Sequence, residues 1–99
     1  MSKNNQTTLA SARRYAQSGR FHEMLAVCHN ILEAGKDNLT TQLDVGTLLS
    51  SFGFVDRARE CFERGRLLVP DDLRSVINLA NLARDVGEHS TFRAYYGNR

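Results

Sequence analysis

Residues 39–70 read LTTQLDVGTLLSSFGFVDRARECFERGRLLVP, and this stretch decides the fold. Its first part places Leu39, Leu43, Val45, Gly46, Leu48 and Leu49 on one broad helical stripe, at steps of three and four residues. Asn38, just before it, has a side chain suited to accept an orphan amide at a helix start. Gly53 can take the left-handed conformation that closes a helix, with Phe54 and Val55 packing across the turn. A second helix is expected from about Val55 to Val69, its inner stripe made of Ala58, Cys61, Phe62, Gly65 and Leu68. Pro70 stops it, because the ring clashes with the preceding turn and offers no amide. Asp71 or Asp72 then caps a further helix from Leu73 to about Asp85. No alternating run is long enough for a strand, so the pattern is all-α.

Working outward, the same pattern returns. Gly19, Gly53 and Gly87 recur at intervals of 34 residues. On that register Ala12, Gly46 and Ala80 align, as do Tyr15, Leu49 and Ala83. Met24, Ala58 and Phe92 follow in step, then Cys28, Phe62 and Tyr96. The chain therefore divides into a short tail (1–4), two copies (5–38 and 39–72) and a third, incomplete copy (73–99). In the first copy the expected helices are about Thr8–Ser18 and His22–Ala34, closed by Gly35. In the third, a second helix is expected from about Glu88.

Composition narrows the function. The 99 residues are 41% hydrophobic and 24% charged, the balance of a folded chain rather than a disordered one. No stretch approaches the roughly 20 apolar residues of a membrane span, and the polar start lacks the apolar core of a secretory signal. Cys28 and Cys61 are too few for a disulfide framework and too far apart for a CxxC pair, which points to reduced thiols and a cytoplasmic setting. A net charge of +2 with no basic block argues against nucleic acid as the main partner.

These spacings resemble the tetratricopeptide repeat, a 34-residue helix–turn–helix unit with a W-x2-L-G-x2-Y…A-x3-F…P pattern. The middle copy fits best, through Val45-Gly46, Leu49, Gly53, Ala58, Phe62 and Pro70, with Gln42 in the tryptophan position. The first copy matches at Ala12, Tyr15 and Gly19 but carries Met24 and Cys28 for alanine and phenylalanine. The third matches at Leu79-Ala80 and Gly87, with Phe92 in place of alanine. The resemblance implies a right-handed superhelix of antiparallel helix pairs. The first helix of each pair lines a concave groove that binds an extended or helical segment of another protein, without catalysis.

By register, the groove positions are Leu9, Arg13, Ala16 and Gln17 in the first copy. Leu43, Thr47, Ser50 and Ser51 follow in the second, then Arg74, Ile77, Asn81, Arg84 and Asp85 in the third. Each set lies on a single helical stripe. The expected groove is polar, with apolar studs at Leu9, Leu43 and Ile77. Arg13, Arg74 and Arg84 can bind carboxylates in bidentate fashion, so an acidic peptide is the expected ligand. The peptide-carboxylate clamp of chaperone-binding members is not reproduced: its positions hold Leu9 and Arg13, Asp44, then Arg74 and Asn78. The run Asn78-Leu79-Ala80-Asn81-Leu82 is similar to the asparagine-bearing helices in the repeats of O-linked N-acetylglucosamine transferases, where asparagines hold peptide backbone. In this chain only the third copy carries that pair.

The remaining clusters read as structure. His22 and His29 share a helix face, but Cys28 sits about 100 degrees away in an inward position, so no metal site is expected. Glu60 and Arg64 are spaced for a favourable ion pair on an exposed helix. No serine–histidine–acid set, phosphate loop or HExxH motif is present, and no cofactor is expected. The sequence thus points to a non-catalytic scaffold. Its rivals are the repeat segment of a larger enzyme, such as a glycosyltransferase that recruits acceptor proteins, and a chaperone for a secreted partner. The third copy lacks its last seven positions, so the length reads as a cut through a longer array. An uncapped end leaves apolar surface in water, which makes Phe92, Tyr95 and Tyr96 an expected self-association face.

Overall fold

A computed structural model describes residues 8–85, and all of the regular structure among them is helical. Five helices follow in order: α1 (Leu9–Gln17), α2 (Phe21–Ala34), α3 (Leu39–Ser51), α4 (Val55–Leu68) and α5 (Leu73–Asp85). They form two antiparallel hairpins followed by α5, a repeat-like helical arrangement. No helix among the described residues is long and apolar enough to cross a membrane.

The boundaries follow from local chemistry. Thr8 caps α1, its hydroxyl accepting from the Ser11 amide at 3.1 Å, while Ser11 Oγ accepts from the Thr8 amide at 3.2 Å. Asn38 caps α3 by accepting from the Thr41 amide at 3.0 Å. Of the two aspartates before α5, Asp72 is the cap, accepting from the Arg74 amide at 2.9 Å. Gly19 and Gly53 have φ of 77° and 87°, the left-handed backbone that lets each hairpin turn without a Cβ penalty. Gly35 serves differently. Its φ is −126°, and a Cβ there would lie 2.8 Å from Thr41 Oγ1, so the glycine permits a close approach.

Within each hairpin, small residues let the helices meet. Ala12, Ala58 and Ala80 are fully buried, and Gly46 lies directly against the Phe62 ring. Met24, Val45, Leu49 and Leu79 complete the core. Between hairpins, Phe21 of α2 stacks at a tilt on Phe52 and Phe54, with ring centroids 6.2 and 5.6 Å away. Gln42, in the position where the repeat pattern has tryptophan, is 1% exposed. Its Nε2 donates to the Lys36 carbonyl at 2.9 Å, so the buried amide is compensated and the α2–α3 linker is tied down.

The contacts between helices are asymmetric. α1 packs close to α3 and α3 close to α5, whereas the backbones of α2 and α4 stand farther apart. The gap between α2 and α4 is a cleft of about 200 Å³, with Leu25, Leu32, Leu49 and the two cysteines among its lining.

Candidate partner-binding face

The residues named for a groove all belong to α1, α3 and α5, but the structure sorts them into three environments. Arg13 and Gln17 of α1, Thr47 of α3 and Arg84 of α5 are exposed, with Ser50, Asn78 and Asn81 half-buried. These polar side chains form the part of the set that a partner can reach. Ser50 and Ser51 both donate their hydroxyl protons to the Thr47 carbonyl, at 3.1 and 2.8 Å. Their oxygens are therefore left as acceptors on the α3 surface. The side chains of Arg13, Asn78 and Asn81 make no hydrogen bond or ion pair among the described residues.

The apolar studs differ from expectation. Leu43 is 7% exposed and belongs to the core, as Ala16 does at 3%, so neither can contact a ligand. Leu9 is half-buried against the same core, while Ile77 is 43% exposed. Leu9, Leu43 and Ile77 occupy one register position, and the structure gives them three different degrees of cover.

Arg74 is also reassigned. Its Nε and Nη2 donate to the two Asp72 carboxylate oxygens at 3.0 and 2.8 Å, an intramolecular clasp that occupies its bidentate edge. The guanidinium hydrogen bonds, and then the Arg74 amide, hold the Asp72 carboxyl down to about 2, and the Arg74 pKa is raised in turn. The expected Glu60–Arg64 pair is not formed. Arg66 pairs with Glu63 at 2.7 Å and Arg59 with Asp56 at 3.3 Å instead, both at i,i+3 spacing. Among the described residues Arg84 pairs loosely with the Asp85 carboxylate, at 4.0 Å. Phe92, Tyr95 and Tyr96 lie outside the described residues.

The cleft between α2 and α4 was not foreseen. It is lined by Leu25, Cys28 and Leu32 of α2 and by the buried Cys61 of α4, with the exposed Arg57 and Arg64 at its α4 edge. Cys28 and Cys61 are both buried, and burial pushes each thiol up to about 11; for Cys61, the neighbouring Cys28 adds to the effect. Cys28 donates to Met24 Sδ at 3.6 Å, a packed thiol rather than a reactive one. His22 and His29 are both exposed, and His29 lines the rim of the cleft; no group of three or more His, Cys, Asp or Glu side chains that could hold a metal ion converges among the described residues.

Comparison of the chain with models of known protein families, with curated protein sequences and with solved structures returns no match.

Proposed function

We propose that this chain is a tetratricopeptide-like interaction module that binds a segment of another protein along the surface of α1, α3 and α5. One observation carries the reading. The odd-numbered helices touch in succession while α2 and α4 stand apart, which is the spacing of a curved stack with its first helices on the inside. On that reading the helix pairs form a right-handed superhelix, and the face shared by the first helices is concave. The free polar groups of Arg13, Thr47, Asn78, Asn81 and Arg84 then lie along one groove.

The chemistry of those groups selects the ligand. Asn78 and Asn81 each offer a donor and an acceptor to a peptide backbone, and the α3 hydroxyl oxygens accept its amides. Arg13 and Arg84 offer guanidinium edges to acidic side chains. Binding gains from a receptor surface that is ordered before the peptide arrives. The role proposed on this reading is recruitment of a partner rather than chemistry. Two buried, unlinked thiols suit a reducing cytoplasmic setting.

The test is selection of ligands from a peptide library on the full chain, followed by affinity measurements on variants. Asn81→Ala and Arg13→Glu should each weaken a selected peptide about tenfold, as expected for loss of one or two groove hydrogen bonds. Arg74→Ala should change affinity little, because that side chain is held by Asp72. Equal affinity for the wild type and both groove variants would remove this reading.

A further inference from the structure

The cleft between α2 and α4 joins three kinds of lining. Leu25, Leu32 and Leu49 and the two buried thiols supply apolar surface. Gln42, seven residues before Leu49 on the same stripe of α3, adds a buried amide. The exposed His29 and Glu33 of α2 and Arg57, Glu60 and Arg64 of α4 form a rim of mixed charge.

Two observations point to a ligand. The first concerns Gln42, which is 1% exposed. Among the described residues its side chain makes one hydrogen bond, from Nε2 to the Lys36 carbonyl, and its Oε1 accepts none. Ser75 Oγ is the one polar side-chain atom among those residues that is sealed off without a partner. Gln42 Oε1 is therefore reached from the cleft that the residue lines. A buried acceptor in that position weakens the fold until a donor meets it. The second observation is the rim. Glu60 and Arg64 stand at i,i+4 spacing and do not pair, and Arg57, Glu33 and His29 make no hydrogen bond or ion pair among the described residues either. Charges of both signs are thus uncommitted around one opening.

We propose that this cleft binds a free amino acid whose ring carries a hydrogen-bond donor, of the tyrosine type. Its volume of about 200 Å³ is smaller than the roughly 300–1,000 Å³ of drug-sized pockets, which suits a single amino acid. The ring lies among the leucines and against the thiols, whose polarizable sulfur favours an aromatic edge. The ring hydroxyl donates to Gln42 Oε1. At the rim the guanidinium groups of Arg57 and Arg64 hold the carboxylate, and Glu60 and Glu33 face the ammonium. An aliphatic ligand would leave Gln42 Oε1 unpaired, and a ligand of one charge would leave half of the rim unanswered. The proposal does not rest on peptide binding, which uses the exposed faces of α1, α3 and α5.

The experiment is isothermal titration calorimetry of the full chain with L-tyrosine, L-phenylalanine and N-acetyl-L-tyrosinamide. Tyrosine should bind at one site per chain. Phenylalanine lacks the donor and the blocked amide lacks both head charges, so each should bind about tenfold more weakly. The double variant Arg57→Ala, Arg64→Ala should weaken tyrosine about tenfold with unchanged helical circular dichroism. Gln42→Leu should bring tyrosine down to the affinity of phenylalanine; if that variant fails to fold, the difference between the two ligands on the wild type tests the same contact. No saturable binding of tyrosine, equal binding of tyrosine and phenylalanine, or equal binding of the blocked amide would overturn the proposal. None of these readouts involves a peptide, so their failure leaves the groove reading standing.

Discussion

Replacing Gly46 by alanine should destabilise the protein, although alanine is the better helix former. A Cβ on Gly46 would lie 2.5 Å from Cε1, 2.9 Å from Cδ1 and 3.0 Å from Cζ of Phe62. Ordinary carbon contacts are about 3.5–4.0 Å, so the ring must retreat by about 1 Å. Phe62 is 2% exposed and sits among packed neighbours, so the hairpin itself has to open. Overpacking of this kind costs about 1–3 kcal/mol, and a rigid ring belongs at or beyond the upper end. Helix propensity returns about 1 kcal/mol, leaving a net loss of about 2 kcal/mol. For a domain of this size that lowers Tm by roughly 8–16 °C. Urea and thermal unfolding followed by circular dichroism measure it. The cause is isolated by repeating Gly46→Ala in a Phe62→Leu background, where the loss should shrink. The first copy already holds such a combination, Ala12 with Cys28, at these two register positions. A Gly46→Ala protein as stable as the wild type, or an equal loss in both backgrounds, would refute the reasoning.

Other outcomes follow from the same contacts. Asn38→Ala removes the α3 cap and should lower stability by about 1 kcal/mol in urea titration, whereas Asn38→Asp should be nearly neutral. Asp72 titrates near 2 when folded against an ordinary value of 3.8. Its contribution is therefore present above pH 4 and disappears as pH falls toward 2, and Asp72→Asn should flatten that limb of the stability–pH curve. Cys28 and Cys61 should react slowly with a thiol-specific disulfide reagent at neutral pH and at once in urea. Their raised folded pKa makes stability complete below pH 9 and lost as pH rises from 9 to 11, because the unfolded thiols ionise first.

Much of the fold is legible in local chemistry. The α3–α4 hairpin follows from an apolar stripe, an asparagine cap, a left-handed glycine and a proline stop, and the structure places the ends of α3 and α4 within two residues of those signals. α2 is harder to bound, since Arg20 supplies no side-chain cap at its start. The groove set is legible only in part, because register fixes which side of a helix a residue occupies but not what covers it. Leu43 and Ile77 are equivalent by register, yet one is core and the other is 43% exposed, and among the described residues only α3 has helices on both sides. Arg74 is lost to Asp72 for a related reason: an acid two residues away captures its guanidinium, and the groove stripe alone omits it. The α2–α4 cleft is not visible from either helix alone, because it arises from the separation of their two backbones.

The concave-face account is tested most directly by mapping amide chemical-shift changes on the isotopically labelled full chain as a selected acidic peptide is titrated in. The account predicts changes concentrated at Arg13, Thr47, Ser50, Asn78 and Asn81, on three helices at once, with α2 and the outer side of α4 unmoved. Changes confined to α2 and α4, around Cys28 and Cys61, would contradict it.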